Sequence, residues 1–226
     1  MIPVTVLIPV LERPGRVEPL LESLRSATNL NAYPIPVFLC SLGDGAEIDA
    51  ARASGADHIV VPWKPGRGDY ARKLNLGYQQ AGTPWTFLGA DDLVFRHGWL
   101  DECLKRYAQT NACVIGTNDL GNQRTVNGTH STHTLIHHDY RECGTVDDPT
   151  ILLHESYWHV YSDDELVQTA IWRRTYAHAP LAIVEHLHPD WGKADDDATY
   201  RRGREHFAED RELYMRRKHL WGRRGR

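Results

Sequence analysis

The chain has no apolar run near the ~20 residues that span a bilayer. The longest, Val4 to Leu11, is short and contains Pro9. Its start lacks the basic residues and the small-residue cleavage site of a signal peptide. Cysteine is scarce, and Cys40, Cys103, Cys113 and Cys143 are scattered over 226 residues with no C-x-x-C pair. That excludes a secreted disulfide framework and reads as buried free thiols. Asn127-Gly128-Thr129 fits a glycosylation sequon, but it carries little weight without a secretion signal. No internal repeat and no low-complexity linker is present. These absences point to a cytoplasmic protein with no membrane insertion. The 41% hydrophobic and 25% charged residues are ordinary for a globular chain. They exclude a disordered tail protein, a collagen and a coiled coil. The length suits one domain with a short appendage.

The net charge of −4 is unevenly spread. From Tyr200 to Arg226 there are ten Lys/Arg against four Asp/Glu, so a basic tail follows an acidic body. Nine of the thirteen histidines lie between His130 and His188, which marks the second half as chemically distinct.

The first half alternates strands and helices. Val4 to Val10 reads as a buried strand. Arg16 to Ala27 places Val17, Leu20, Leu21 and Leu24 at helical spacing. Strands are expected at 36–42, 58–61, 85–88 and 112–116, and helices at 47–54, 70–81 and 97–109. Single helices between strands imply a mostly parallel sheet with right-handed crossovers, whose ligands bind at the strands' carboxyl ends. Residues 118–162 are irregular. A helix is expected at 163–176, a strand at 181–188, and a long helix at 195–221 whose Tyr200, Phe207, Tyr214 and Trp221 form one stripe.

Asp91-Asp92 directly follows the strand at 85–88. Two adjacent carboxylates there can hold a hard divalent cation, or they can cap the following turn. Asp163, Asp164 and Glu165 open a helix, where acids also satisfy capping and the macrodipole. His186 and His188 share one face if the strand at 181–188 is regular. His130, His133, His137 and His138 lack a Cys partner or a His-Glu-x-x-His spacing, which argues against zinc.

Three segments together resemble the GT-A glycosyltransferases of the family-2 kind. They are Val4 to Arg13 with its Ile8-Pro9-x-x-x-Arg13 ending, Tyr70 to Gly77 with Asn75-x-Gly77, and Trp85 to Asp92. The resemblance covers residues 3–110 well and 155–190 loosely. It implies a Rossmann-like α/β sheet flanked by helices, here with a C-terminal amphipathic helix. It divides the chain into a nucleotide-sugar-binding half at 1–117, an acceptor-binding and catalytic half at 118–193, and a basic helix and tail at 194–226. It further implies a Mn²⁺ or Mg²⁺ ion on Asp91, Asp92 and a late histidine, with His188 favoured. Pro9, Val10, Glu12, Arg13, Asp69, Arg72 and Lys73, together with Asp91, would line the nucleotide-sugar. Asp163 or Asp164 would be the general base of an inverting transfer. Two departures stand out. Gly89 replaces an acid of the usual cluster, and the carboxylate that reads base and ribose is absent or displaced to Asp44.

Gln168 to Trp172 departs from the Gln-x-x-Arg-Trp motif of processive synthases, so transfer of a single sugar is expected, with UDP-sugar the first donor. The small size and basic tail resemble bacteriophage enzymes, some of which decorate DNA bases or virion proteins. A macromolecular acceptor follows from that likeness, DNA first and protein second, and so does a host-cytoplasm location. Two other classes compete. A nucleotidyltransferase would need a Gly-rich loop that Leu11 to Arg16 lacks. A non-enzymatic nucleic-acid binder would gain nothing from Asp91-Asp92 and Asp163-Asp164.

Overall fold

The first strand, β1 (Ile2–Pro9), shows why the sheet is covered on both sides. Val4, Val6 and Ile8 pack with Val17, Leu20, Leu21 and Leu24 of helix α1 (Val17–Ser26), while Leu7 packs on the other face. There it meets Leu74 of helix α3 (Asp69–Gln80). A Cβ on Gly77 of α3 would stand 2.8 Å from the Leu7 side chain, so the helix lies close on the sheet because that residue is glycine. In this computed structural model, which describes residues 1–222, the remaining strands are β2 (Ala32–Cys40), β3 (Asp57–Val60), β4 (Trp85–Leu88), β5 (Leu93–Phe95), β6 (Val114–Asn118), β7 (Thr134–His137) and β8 (Tyr176–His186). Helices α2 (Gly45–Ala53), α4 (Trp99–Thr110), α5 (Gln123–Val126) and α6 (Ser162–Trp172) join them.

The eight strands form one sheet in the order β3-β2-β1-β4-β7-β6-β8-β5. The parallel expectation holds for β1 with β2 and β4, β2 with β3, and β6 with β8. The inserted β7 runs antiparallel to β4 and β6, and β5 antiparallel to β8, so the sheet is mixed. β2 starts at Ala32, earlier than its prolines suggest. Its outer side pairs β3 only from Val37 onward, so Pro34 and Pro36 deprive no neighbour of a donor. β8 starts at Tyr176 rather than 181. Its register against β6 shifts between Gly116 and Asn118, and Pro180 and the exposed Leu181 fall in that irregular stretch. The four cysteines are free, with Cys40 and Cys103 fully buried.

The long C-terminal helix expected from the aromatic repeat is divided into α7 (Ala198–Glu205), α8 (Phe207–Arg217) and α9 (His219–Gly222). The break at His206 has a cause. The His206 ring stacks on Trp158 at 3.8 Å, and the fully buried Asp210 carboxylate accepts the backbone N–H groups of Trp158, His159 and Val160. Docking to that loop outweighs helical continuity. Tyr200 and Trp221 are buried as expected, but Phe207 is turned outward and exposed. Arg223, Arg224 and Arg226 of the basic tail lie outside the described residues. No described helix is long and apolar enough to cross a membrane.

Arg217 fastens α8 to the body. Its guanidinium bonds both oxygens of Glu165, a residue only 2% exposed, and both oxygens of Asp147. Arg217→Ala strands the Glu165 charge and is expected to cost about 3–5 kcal/mol in urea unfolding. Arg216→Ala, which breaks an exposed pair with Glu212, is expected to cost under ~1 kcal/mol. Equal effects of the two would remove Arg217 as the anchor.

Candidate active site

The carboxyl ends of β1 and β4 meet at an acidic centre. β4 runs out at Leu88, and Gly89-Ala90-Asp91-Asp92 turns the chain into β5. Gly89 donates its N–H to Leu7 O at 2.9 Å, and a Cβ there would sit 2.9 Å from that same oxygen. The backbone has closed over the position where an acidic side chain would stand, so Asp91 and Asp92 carry the negative charge.

Both carboxylates are buried, and each is held differently. Arg13 donates to Asp91 Oδ1 at 3.0 Å, lies 3.7 Å from Asp92 Oδ2, and donates to Asp197 Oδ1 at 2.8 Å. Its guanidinium also stacks 3.9 Å from the centre of the Tyr200 ring. Asp92 Oδ2 accepts the Tyr200 hydroxyl at 2.8 Å and faces His186 Nε2 at 3.3 Å, while Asp92 Oδ1 has no partner. Burial and the neighbouring Asp92 push the Asp91 carboxyl up. Burial would push Asp92 up as well, but the charge and hydrogen bond of His186, with His133 and Tyr200, hold it below the usual carboxylate range. His133 donates its Nδ1–H to Leu88 O at 3.2 Å, which leaves a buried Nε2 without a partner. Burial and His186 push His133 down to about 4, so it is neutral.

A second pair of carboxylates opens α6. Asp164 is bonded to Arg124 at 2.5 Å, whereas Asp163 Oδ2 faces His130 Nε2 at 3.3 Å. The charges of both Asp92 and Asp163 act on Tyr70, His133, His159 and His186, so the two carboxylates lie within electrostatic reach of the same four side chains. A surface concavity lined by Met1, Leu24, Arg25, Tyr33 and Pro34 lies at the amino ends of β1 and β2, the opposite end of the sheet.

Residues 5–164 match the family model for glycosyl transferase family 2. The chain belongs to that family. Its fold is the GT-A fold, shared with solved glycosyltransferases of low sequence identity. The mannosyltransferase PcManGT of Pyrobaculum calidifontis, solved with GDP-Man and Mn²⁺, is 15% identical with a TM-score of 0.65, over 94% of this chain and 64% of that one. This chain thus spans under two thirds of that relative. Glucosyl-3-phosphoglycerate synthase of Mycobacterium tuberculosis, solved with Mn²⁺, UDP-glucose and phosphoglyceric acid, is 13% identical with a TM-score of 0.63, covering 99% and 81%. TarS 1–349 of S. aureus, solved with UDP, is 13% identical with a TM-score of 0.60, covering 94% and 74%. No curated protein matches the chain.

Within this family-2 fold Arg13, Asp91 and Asp92 are brought together, while Asp163 faces His130. The other expected residues are placed less directly. Val10 O accepts Lys73 Nζ at 2.8 Å, and that ammonium also pairs with Asp69 at 2.8 Å, so buried Lys73 anchors the loop after β1. Asp69 in turn accepts Trp63 Nε1, and Arg72 stacks over the Trp63 ring at 4.2 Å. Glu12 adopts φ 57°, and its N–H donates to Asp44 while that of Arg13 donates to Glu47. Asp44 also caps α2 by accepting from Glu47 N, so its carboxylate already serves the loop that follows Pro9.

His188 makes no direct bond to Asp92. Its ring lies 5.1 Å from that of His186 and 4.7 Å from that of Tyr200, and its Nδ1 accepts from Asp190 N at 3.2 Å. His186 occupies the position against Asp92. The sequence reading also missed Tyr200 and Asp197 as partners of the acidic centre. A seven-residue aromatic repeat reports packing and says nothing about where a phenol hydroxyl points. Asp197 did carry a signal, since it immediately precedes a helix and caps it through Thr199 and Tyr200.

Proposed function

We propose that the chain moves one sugar from a nucleotide-diphospho-sugar to a hydroxyl acceptor with inversion at the anomeric carbon, and that Asp163 is the base. The observation that carries this is that the charges of Asp92 and Asp163 both act on the same four side chains, Tyr70, His133, His159 and His186. In the transfer the acceptor oxygen bonds to the anomeric carbon as the bond from that carbon to the phosphate oxygen breaks. The bonding pair leaves with the nucleoside diphosphate, and the hydroxyl proton passes to Asp163. Asp164 is tied to Arg124 and less exposed, which leaves Asp163 as the carboxylate open to an acceptor.

The residues fit a divalent cation. Asp92 Oδ1 is a buried carboxylate oxygen with no partner, and His133 Nε2 is a bare imidazole nitrogen in the same region. Asp91, Asp92 and His186, in preference to His188, would hold Mn²⁺ or Mg²⁺. When bound, such an ion supplies positive charge that stabilises the leaving diphosphate. Arg13 adds fixed positive charge at the same carboxylates. On this reading residues 1–117 bind the donor and 118–193 the acceptor, both from one continuous sheet, and Tyr200 of α7 reaches Asp92.

A DNA acceptor depends on free positive charge in the C-terminal segment. Arg202, Arg204, Arg216 and Arg217 are paired with Glu12, Asp196, Glu212 and Glu165, which leaves Arg201, Arg211 and Lys218 without a carboxylate partner among the described residues. DNA and protein therefore stand as acceptors to be tried beside small hydroxyl compounds. The test is a thermal-shift panel of UDP- and GDP-sugars with and without Mn²⁺, followed by donor hydrolysis. A donor at 100 times its dissociation constant is expected to add about 2.7 kcal/mol. Absence of both a shift and hydrolysis across the panel would overturn the reading.

A further inference from the structure

His130 lies outside the expected donor and metal residues, yet it is only 2% exposed and sits against both acids that open α6. Its Nε2 is 3.3 Å from Asp163 Oδ2 and its Nδ1 is 3.8 Å from Asp164 Oδ1. The Tyr176 hydroxyl bonds the His130 carbonyl at 3.2 Å and helps fix the residue in place. Nδ1 is buried with no hydrogen-bond partner. A carboxylate only accepts, so Nε2 carries the proton that faces Asp163. A neutral ring would then aim the Nδ1 lone pair at the Asp164 carboxylate. A doubly protonated ring aims an N–H there instead.

We propose that His130 is a positioning residue for the base: its imidazolium bridges Asp163 and Asp164, fixes the Asp163 carboxylate toward the acceptor side and keeps it ionised. The inference rests on the reading of Asp163 as base. Charge balance supports it. Arg124 of α5 and the His130 imidazolium together match the two carboxylates of α6. Burial works against the charged imidazole, but Asp163 and Asp164 outweigh burial and the opposing Arg124, so His130 holds its proton more tightly than an ordinary histidine. In return, burial would push Asp163 up, and the bond and charge of His130, the Asp164 N–H and His133 hold it down.

Other groups face Asp163 from the elements around it. Tyr70 comes from α3, His159 from the loop before α6, His186 from β8 and Tyr214 from α8. The two tyrosines are held above their usual range by burial, so they stay neutral. Burial pushes His159 down. His186 is committed to Asp92. His130 is therefore the imidazole in contact with Asp163, and its loss has a defined sign. Without the adjacent positive charge the Asp163 carboxyl rises, and the acid limb of kcat/KM moves to higher pH.

The experiment is the pH profile of kcat/KM at saturating metal for wild type, His130→Asn and Asp163→Asn. His130→Asn is expected to move the acid limb up by about one unit or more. Its donor KM is expected to stay unchanged. Asp163→Asn is expected to lower the transfer by ~10²–10⁴. An unmoved limb in His130→Asn, with Asp163→Asn so lowered, overturns the positioning role alone. An active Asp163→Asn that keeps the wild-type limb overturns the base assignment itself. Because His130→Asn can fail to fold, ¹⁵N-imidazole NMR on the wild-type chain gives a second test. His130 is expected doubly protonated at pH 7, and a neutral ring there overturns the proposal.

Discussion

Asp163→Asn is expected to lower turnover by ~10²–10⁴ while the donor-induced thermal shift stays at its wild-type size. The exchange keeps side-chain volume and removes the basic oxygen that, on the proposed mechanism, takes the acceptor proton. Asp163 is bonded to His130 and makes no bond to Arg13 or Asp91, so donor affinity has no reason to change. Asp164→Asn makes the contrast. It breaks the pair with Arg124 and loosens the start of α6, but an acceptor approaching Asp163 still finds a base. A modest loss is expected there. The measurement is single-turnover transfer for both variants, with hydrolysis of the donor as a second readout. If Asp163→Asn keeps more than a tenth of its activity while Asp164→Asn collapses, the two acids exchange roles. If both remain active, the base lies elsewhere in the site.

Asp92→Asn is expected to abolish both Mn²⁺ binding and transfer while the fold survives. Asp92 is the carboxylate whose Oδ1 is buried without a partner, and its other oxygen receives Tyr200 and His186. The amide oxygen introduced by the substitution would still accept the Tyr200 hydroxyl, so α7 keeps its attachment. The lost feature is the negative charge that a hard cation requires. Titration of Mn²⁺ followed by EPR reads the site directly, and urea unfolding checks the fold. Wild-type Mn²⁺ affinity, or undiminished turnover at saturating metal, would remove Asp92 from the donor site.

Some of this architecture is local in origin, and the rest is borrowed from neighbours. β1, α1, α3 and β4 each carry their own period, as in Val4-Val6-Ile8 and Val17-Leu20-Leu21-Leu24, and each forms where the pattern places it. β5 and β7 are three and four residues long and have no such signal. They exist because β8, β4 and β6 offer edges to pair with. The C-terminal aromatic repeat has the spacing of one helix but is interrupted because Asp210 and His206 bind the 158–160 loop. No window of sequence contains both partners of such a contact.

The same division applies to the chemistry. The order of motifs along the chain, with an acid pair directly after a strand and a second acid pair at a helix start, is enough to establish the fold, the family and the two acidic centres. Those features depend on residue type and short spacing, which a sequence records. The tertiary structure alone decided that His186 rather than His188 meets Asp92, that Tyr200 and Arg13 share its carboxylate, and that Arg124 and His130 divide Asp164 from Asp163. Each of these depends on where a strand ends or how two distant segments dock. Burial then strengthens these contacts, which push the Asp91 and Asp164 carboxyls up and hold those of Asp92 and Asp163 down.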